Sequence, residues 1–162
     1  MSTSERTTGV STPHAATDAF RFWVPVAVRY SDLDDQGRVN NAVFFTYFEQ
    51  GRIGYFDALR QRGREAAARG AILDEPANRR MAQVRPGATD DRLELPLVIV
   101  EASCVYRRPI MSLAPIAVGM RTTLLRRASL ILEYAVCDAP GGLLYATGST
   151  TVACIDPASG RP

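Results

Sequence analysis

Residues 41–63, NAVFFTYFEQGRIGYFDALRQRG, decide the fold of this chain. Aromatic and apolar side chains recur in this run at the three- and four-residue spacing of one helix face. These side chains are Phe44, Phe48, Tyr55 and Leu59. Asn40, immediately before the run, is a good N-cap. The pattern therefore predicts a helix of about five turns with an unusually aromatic face.

Two glycines interrupt this predicted helix. Gly51 and Gly54 each cost about 1 kcal/mol relative to alanine inside a helix. We expect that cost to be offset by close approach of the backbone to another element. A sheet wrapped tightly around the helix would need such an approach.

The segments on either side of the helix read as strands and turns. Residues 20–30 alternate as a strand does, and Pro25 indicates that this strand lies at a sheet edge or begins near the proline. Residues 31–38 are polar and turn-prone, and residues 61–94 are charged and broken by Gly and Pro, so we expect the helix to fray there. Later strands are predicted at residues 97–107, 116–126, 130–137 and 143–155, with a hairpin turn at residues 139–142.

This order predicts an α+β domain with one long helix against one antiparallel sheet of about five strands. The strands after the helix are expected to form an antiparallel meander. We place the domain at residues 20–156, with a disordered N-terminal tail at 1–19 and a C-terminal tail at 157–162.

Composition limits the class of protein. The chain has 162 residues, 46% of them hydrophobic, and a formal net charge of +2. That size suits one domain, and so small a net charge does not indicate a nucleic-acid-binding protein. Residues 1–19 lack the apolar core of a signal peptide, and no later segment has the apolar length of a membrane span. We therefore expect a cytoplasmic protein.

The cysteines predict neither a disulfide framework nor a metal site. They are Cys104, Cys137 and Cys154. Their number is odd, they are widely spaced, and each lies inside an apolar stretch without a ligand pattern for zinc. We interpret them as reduced thiols in the core.

The basic residues and histidine restrict the available chemistry. All 19 basic residues are Arg, and the single histidine, His14, lies in the predicted tail. Schiff-base lysine chemistry, a lysine P-loop and histidine-centred catalysis are therefore not expected.

A cluster of carboxylates remains, directly before the helix. Asp32, Asp34 and Asp35 precede a helix N-terminus, where unpaired N–H groups can hold an oxyanion. A carboxylate beside such donors would act as nucleophile or base. The same three residues also suit Asx turns and a favourable interaction with the helix dipole, and spacing alone leaves both interpretations open.

The segment VRYSDLDDQGRVNNAVFFTYFEQGR, residues 28–52, resembles a known motif. The motif is V-R-x-x-D-x-D-x-x-G-H-V-N-N, followed by an aromatic helix and E-x-(A/G)-R. It marks hotdog-fold acyl-CoA thioesterases of the 4-hydroxybenzoyl-CoA thioesterase type. Weaker matches continue at residues 106–109, 132–134 and 155–162, so the resemblance covers roughly residues 22–162, and 63–94 match poorly.

The resemblance implies a hotdog fold, an acyl-CoA substrate, no metal or redox cofactor, and a homodimer or tetramer of dimers with active sites between subunits. Asp34 matches the catalytic carboxylate, and Asn41 matches the residue whose backbone N–H polarises the thioester carbonyl. Gly37 would let the chain approach the ligand closely. The remaining matched positions imply supporting roles and are Asp32, Asn40, Glu49 and Arg52.

Glu49 has two interpretations under this resemblance. Glu49 and Arg52 are i,i+3 neighbours on the predicted helix, which suggests an internal ion pair. Another hotdog branch uses a carboxylate on the helix for catalysis, so Glu49 itself is an alternative catalytic residue. Arg107 and Arg108, at the end of a strand, are candidates for binding the phosphates of coenzyme A, or ordinary solvated charges.

Arg38 is the main departure from the motif, which has histidine at this position. Arginine cannot serve as a base, but its fixed charge would lower the pKa of Asp34. Three hypotheses follow: an acyl-CoA thioesterase, an acyl-thioester-binding hotdog protein with weak or lost hydrolysis, and a hotdog hydratase or dehydratase. The third is disfavoured because those enzymes rely on an active-site histidine.

Overall fold

One long helix and five strands make up the described part of the chain. The computed structural model describes residues 17–69, 97–155 and 159. Helix α1 spans Val43–Ala68. The strands are β1 (Phe22–Val26), β2 (Leu97–Tyr106), β3 (Ile116–Leu125), β4 (Ser129–Cys137) and β5 (Leu144–Cys154). The helix packs against the sheet, which confirms the predicted α+β architecture and the hotdog fold.

The sheet is antiparallel, in the order β1-β3-β4-β5-β2. Strand β1, which contains Pro25, lies at one edge and pairs only with β3, as the proline predicts. The prediction of a meander for all later strands was wrong for β2. Strands β3, β4 and β5 form the meander, whereas β2 crosses to the far edge and pairs with β5. Local patterns do not encode this choice of partner, since it joins segments distant in sequence.

Helix α1 begins where the sequence predicts and ends later. The Asn40 side-chain oxygen accepts the Ala42 N–H at 2.9 Å, which confirms Asn40 as the cap. The helix continues through Gly63 to Ala68, so the expectation of fraying from residue 61 was wrong. Residues 64–68, REAAA, are good helix formers, and the Gln61 side chain donates to Glu65 one turn on.

The glycines of α1 permit close packing on the sheet. A Cβ atom at Gly51 would lie 2.9 Å from Cγ1 of Val118 on β3, and one at Gly54 would lie 2.8 Å from Cγ2 of Val24 on β1. Both distances are shorter than atoms tolerate without a shift of the neighbour. On β5, Gly148 makes the same allowance for the ring of Phe48. The expectation of close backbone approach is confirmed.

A continuous apolar core fills the space between the helix and the sheet. Phe48 stacks on Tyr134 with ring centroids 4.4 Å apart. The other large side chains buried completely or nearly so include Val26, Tyr47, Ile110, Met120 and Leu132. No helix among the described residues is long and apolar enough to cross a membrane.

The three cysteines differ in burial. Cys104, Cys137 and Cys154 are free thiols, but only Cys137 is fully buried and Cys154 is exposed. The interpretation of all three as core thiols was therefore wrong for Cys154, which is the last residue of β5.

Most of both predicted tails, and residues 70–94 of the predicted connection, fall outside the described residues.

A buried carboxylate ties the segment before the helix to the helix itself. Asp32 ends a short 3-10 turn, Tyr30–Asp32, and is only 2% exposed. Its carboxylate accepts hydrogen bonds from the Arg29 N–H, the Arg29 Nε and the Tyr47 hydroxyl at 2.9–3.0 Å. Burial alone would raise the pKa of Asp32, but these hydrogen bonds together hold its pKa below the ordinary value.

The close approach at Gly51 yields a stability prediction. Gly51→Ala should lower the free energy of unfolding by up to about 2 kcal/mol, because overpacking costs about 1–3 kcal/mol and the helix gains about 1 kcal/mol from alanine. The control is Gly63→Ala, since no described atom lies within 4 Å of a Cβ there. That control should raise stability by up to about 1 kcal/mol. Urea denaturation of both variants measures the difference, and equal shifts would contradict the packing account.

The Asp32 cluster yields a prediction about pH. Asp32→Asn should lower the free energy of unfolding at pH 7 by about 1.5–3 kcal/mol, the usual contribution of hydrogen bonds to a charged group. The pKa of Asp32 is lower in the folded protein than in the unfolded chain. The stability that the Asp32 charge contributes is therefore complete above the unfolded pKa of about 3.9 and is lost as the pH falls through the folded pKa.

Urea denaturation at pH 7 and at about pH 3 measures this dependence. The difference between wild type and Asp32→Asn should shrink at the lower pH. Asp35→Asn is the control, since Asp35 is exposed and its replacement should change stability by less than about 0.5 kcal/mol. A difference for Asp32→Asn that is independent of pH would contradict the role given to its charge.

Candidate active site

A closed loop between the 3-10 turn and helix α1 carries the central carboxylate. Leu33 and Val39 form an isolated antiparallel bridge, and the Asp34 N–H donates to the Arg38 carbonyl across the loop at 2.6 Å. Gly37 lies at its tip with a φ of 71°, the left-handed region that favours glycine. The loop residues therefore have a defined geometry directly before the helix N-terminus.

The two oxygens of the Asp34 carboxylate have different environments. Oδ1 accepts the backbone N–H groups of Gln36 at 2.9 Å and of Arg38 at 3.0 Å. Oδ2 faces the guanidinium of Arg38, with Nε at 3.4 Å. Asp34 thus makes the Asx turn that its position suggests, and still leaves Oδ2 as the oxygen without a backbone donor.

The charge of Asp34 is stabilised by these contacts. The Arg38 N–H makes the largest contribution, and with the Gln36 N–H and the Arg38 guanidinium it holds the pKa of Asp34 below the ordinary value despite partial desolvation. Asp34 is accordingly ionised at neutral pH. The arginine that replaces the motif histidine lies beside this carboxylate, and its fixed charge acts in the direction expected from the sequence.

The helix N-terminus next to this loop presents an unpaired donor. The Asn40 N–H donates to the Asp32 carbonyl at 2.9 Å, and the Val43 N–H donates to the Asn40 carbonyl at 3.0 Å. Among the described residues no acceptor engages the N–H of Asn41, which is exposed. A free N–H in the first turn of a helix is a suitable donor to a developing oxyanion.

The backbone of this site is held from two further directions. The Val39 N–H donates to the carbonyl of buried Ile110, in the connection between β2 and β3. The Tyr106 hydroxyl, at the end of β2, donates to the Asn41 carbonyl at 3.0 Å. Nothing in the sequence alone assigned a role to the hydroxyls of Tyr106 and Tyr47. The available signal was that a tyrosine hydroxyl in an apolar setting needs a partner.

The predicted pair between Glu49 and Arg52 does not form. The Arg52 guanidinium instead donates to the Tyr134 hydroxyl at 3.2 Å, and that hydroxyl also lies 2.6 Å from Oγ1 of Thr150. Arg52 points toward the sheet, where this tyrosine is a better-placed acceptor than an exposed carboxylate on the same helix. Glu49 is exposed and makes no hydrogen bond or ion pair within the described ranges.

Arg107 and Arg108 follow β2 directly. Both backbone N–H groups donate to the Tyr145 carbonyl, at 2.8 and 3.0 Å, and the Arg108 guanidinium donates to the Leu144 carbonyl at 3.3 Å. Both residues are exposed. Within residues 17–69, 97–155 and 159, no group of three His, Cys, Asp or Glu side chains is arranged to hold a metal ion.

The chain is similar in sequence and fold to known thioesterases. A thioesterase from Thermus thermophilus, solved with coenzyme A and Zn, shares 32% identity and a TM-score of 0.62 over 90% of this chain and 85% of its own. A DHNA-CoA thioesterase from Staphylococcus aureus has 18% identity and a TM-score of 0.59, covering 86% of this chain and 77% of its own. The second likeness shows the fold alone.

Two further comparisons are based on sequence. The Bacillus subtilis (strain 168) protein YsmA is 25% identical over 143 residues, which cover 88% of this chain and 78% of YsmA. The family model of the thioesterase-like superfamily matches residues 28–162, a range that includes the Asp34 loop, the helix and four of the five strands. The chain therefore belongs to the thioesterase-like superfamily.

Proposed function

We propose that this protein is an acyl-CoA thioesterase, which hydrolyses an acyl-CoA thioester to a free carboxylate and coenzyme A. One observation carries the proposal: an ionised Asp34 carboxylate, whose Oδ2 has no backbone donor, lies in the loop that leads to the unpaired Asn41 N–H at the start of helix α1. The similarity to a thioesterase solved with coenzyme A supports the substrate class. We further propose that the enzyme is of the 4-hydroxybenzoyl-CoA thioesterase type.

The Asn41 N–H would donate to the carbonyl oxygen of the thioester. As the carbon becomes tetrahedral, negative charge develops on that oxygen, and a fixed donor stabilises the charge more than it stabilises the starting carbonyl. The partial positive charge of the helix N-terminus acts in the same direction. Asn40 and Asp32 support this donor by capping the helix and by holding the backbone before it.

Asp34 would supply the second half of the chemistry by one of two routes. As a general base, Oδ2 takes a proton from water while the water oxygen bonds to the carbonyl carbon. As a nucleophile, Oδ2 bonds to that carbon and forms an anhydride that water then hydrolyses. In both routes the carbon–sulfur bond breaks and the thiolate of coenzyme A leaves, taking a proton from solvent.

The phosphates of coenzyme A need cationic partners. Arg107 and Arg108 are exposed at the end of β2, next to Tyr106, whose hydroxyl reaches the helix N-terminus. Among described contacts, the Arg107 side chain makes no hydrogen bond, so its guanidinium is available to an anion. We propose that both arginines bind these phosphates.

A hotdog protein that binds acyl thioesters without efficient hydrolysis is the alternative. Arg38 favours it, because arginine cannot move a proton in place of the motif histidine. Tight binding of acyl-CoA by calorimetry without thiol release, with turnover gained in Arg38→His, would support this alternative over the hydrolase.

The Asp34 carboxylate is the direct test of the hydrolase. Asp34→Asn should reduce kcat by at least about 100-fold, since the amide keeps an oxygen for the Gln36 and Arg38 N–H groups but is neither base nor nucleophile. Thiol release from a panel of acyl-CoA substrates, followed with a thiol reagent, measures the loss. Asp35→Asn is the matched control and should retain wild-type turnover. Undiminished thiol release by Asp34→Asn would disprove the assignment.

We also propose that the protein is a homodimer, or a tetramer of such dimers, formed through β2. This strand is a sheet edge, and it exposes Val98, Ile99 and Val100, the last at 66%. An exposed apolar edge strand readily pairs with another chain. Because Tyr106 at the end of β2 contacts the helix N-terminus, a partner at this edge would lie beside the site.

The β2 edge gives a prediction about assembly. Val100→Lys should shift the protein from dimer to monomer, because pairing would bury the lysine charge. Leu125→Lys is the control: Leu125 is 74% exposed at the end of β3 and lies away from this edge. Light scattering after gel filtration gives the molar mass. A wild-type monomer, or a dimer unaffected by Val100→Lys, would contradict the proposed interface.

A further inference from the structure

The peptide units on both sides of Asn41 are held by hydrogen bonds. In the first unit, the Asn40 carbonyl accepts the Val43 N–H at 3.0 Å, which leaves the Asn41 N–H as the free donor. In the second unit, the Ala42 N–H donates to the Asn40 side chain at 2.9 Å, and the Asn41 carbonyl accepts the Tyr106 hydroxyl at 3.0 Å. The two units meet at the Cα atom of Asn41.

The contact from Tyr106 differs from the others because it comes from the sheet. Tyr106 is 65 residues away in sequence, whereas the other contacts of these two peptide units are local. No backbone N–H of the described residues donates to the Asn41 carbonyl, so its hydrogen-bond partner is this side chain. The contact thus fixes the helix N-terminus relative to the end of β2.

The ring of Tyr106 packs against the core on one side, and the side chain is 42% exposed. It packs edge-on against Phe44, with centroids 5.2 Å apart and planes at 80°, and Phe44 is buried in the core. Burial, with a smaller contribution from the Cys104 thiol, raises the pKa of the Tyr106 hydroxyl. The hydroxyl therefore remains protonated, and able to donate, throughout the neutral and mildly alkaline range.

We infer that Tyr106 is a positioning residue, which orients the Asn41 peptide so that its free N–H meets the oxyanion of the proposed reaction. This inference rests on the proposed thioesterase function and adds a residue from the sheet to its machinery. An oxyanion donor must lie about 2.7–3.1 Å from the place where charge develops, so small rotations at Asn41 weaken it. Tyr106 acts through Asn41 and moves no proton.

Tyr106→Phe tests the inference, because it keeps the ring against Phe44 and removes only the hydroxyl. We expect kcat for acyl-CoA hydrolysis to fall about 3- to 10-fold, the effect of one hydrogen bond, while KM changes less than about twofold. Tyr55→Phe is the matched control. It loses a comparable tyrosine hydrogen bond, to Thr122 at 3.2 Å, from the middle of the helix, and should keep wild-type kcat. An unchanged kcat in Tyr106→Phe, or a loss confined to KM, would overturn the inference.

Backbone amide resonances provide a readout that does not depend on activity. In Tyr106→Phe the resonances of Asn41 and Ala42 should shift, and the Ala42 N–H should exchange faster, while the melting temperature and the distant amides stay unchanged. If the wild-type protein released no thiol, the proposed function would be contradicted. The amide resonances would then still test whether the Tyr106 hydroxyl positions the Asn41 peptide. Changes confined to residues 40–43 would support it, and none at Asn41 and Ala42 would overturn it.

Discussion

The buried carboxylate of Asp32 fixes how the chain enters helix α1, and the site depends on that entry. The carboxylate accepts hydrogen bonds from Arg29, before the 3-10 turn, and from the hydroxyl of Tyr47, which is completely buried on the helix. A buried charge without these donors would be costly, so the turn and the helix are held in one arrangement. The Asp32 carbonyl then receives the Asn40 N–H, which leads directly to the helix cap.

That arrangement places two complementary groups in neighbouring parts of one short segment. Asp34 keeps its charge because backbone N–H groups bind Oδ1 and the Arg38 guanidinium faces Oδ2, and Asn41 keeps a free N–H because it lies at the start of the helix. The Tyr106 hydroxyl, at the end of β2, joins this segment to the sheet through the Asn41 carbonyl. Packing of the sheet and geometry of the site are therefore coupled at this contact.

Local features of the sequence predicted much of this structure. The Asn40 cap, the close approach at Gly51, the edge position of Pro25 and the hairpin at residues 139–142 follow from chemistry within a few residues, and all are confirmed. Gly141, with a φ of 74°, is the clearest case in the hairpin.

Contacts between distant residues were not predicted. The position of β2 beside β5 depends on pairing across the sheet, and the Arg52 contact with Tyr134 joins residues 82 positions apart. The hydroxyls of Tyr47 and Tyr106 find their partners only in the folded chain, so no spacing in the sequence indicates them. The sequence indicated candidate residues in the segment before and at the start of the helix. The contact that this segment receives from Tyr106 of the sheet is seen only in the structure.

A crystal structure with an acyl-CoA analogue in which a methylene group replaces the thioester sulfur tests the central claim most directly. Such an analogue keeps the carbonyl but cannot be hydrolysed. The account predicts the carbonyl oxygen about 3 Å from the Asn41 nitrogen, with the carbonyl carbon facing Asp34 Oδ2. A carbonyl bound away from both groups, for example beside Glu49, would contradict it.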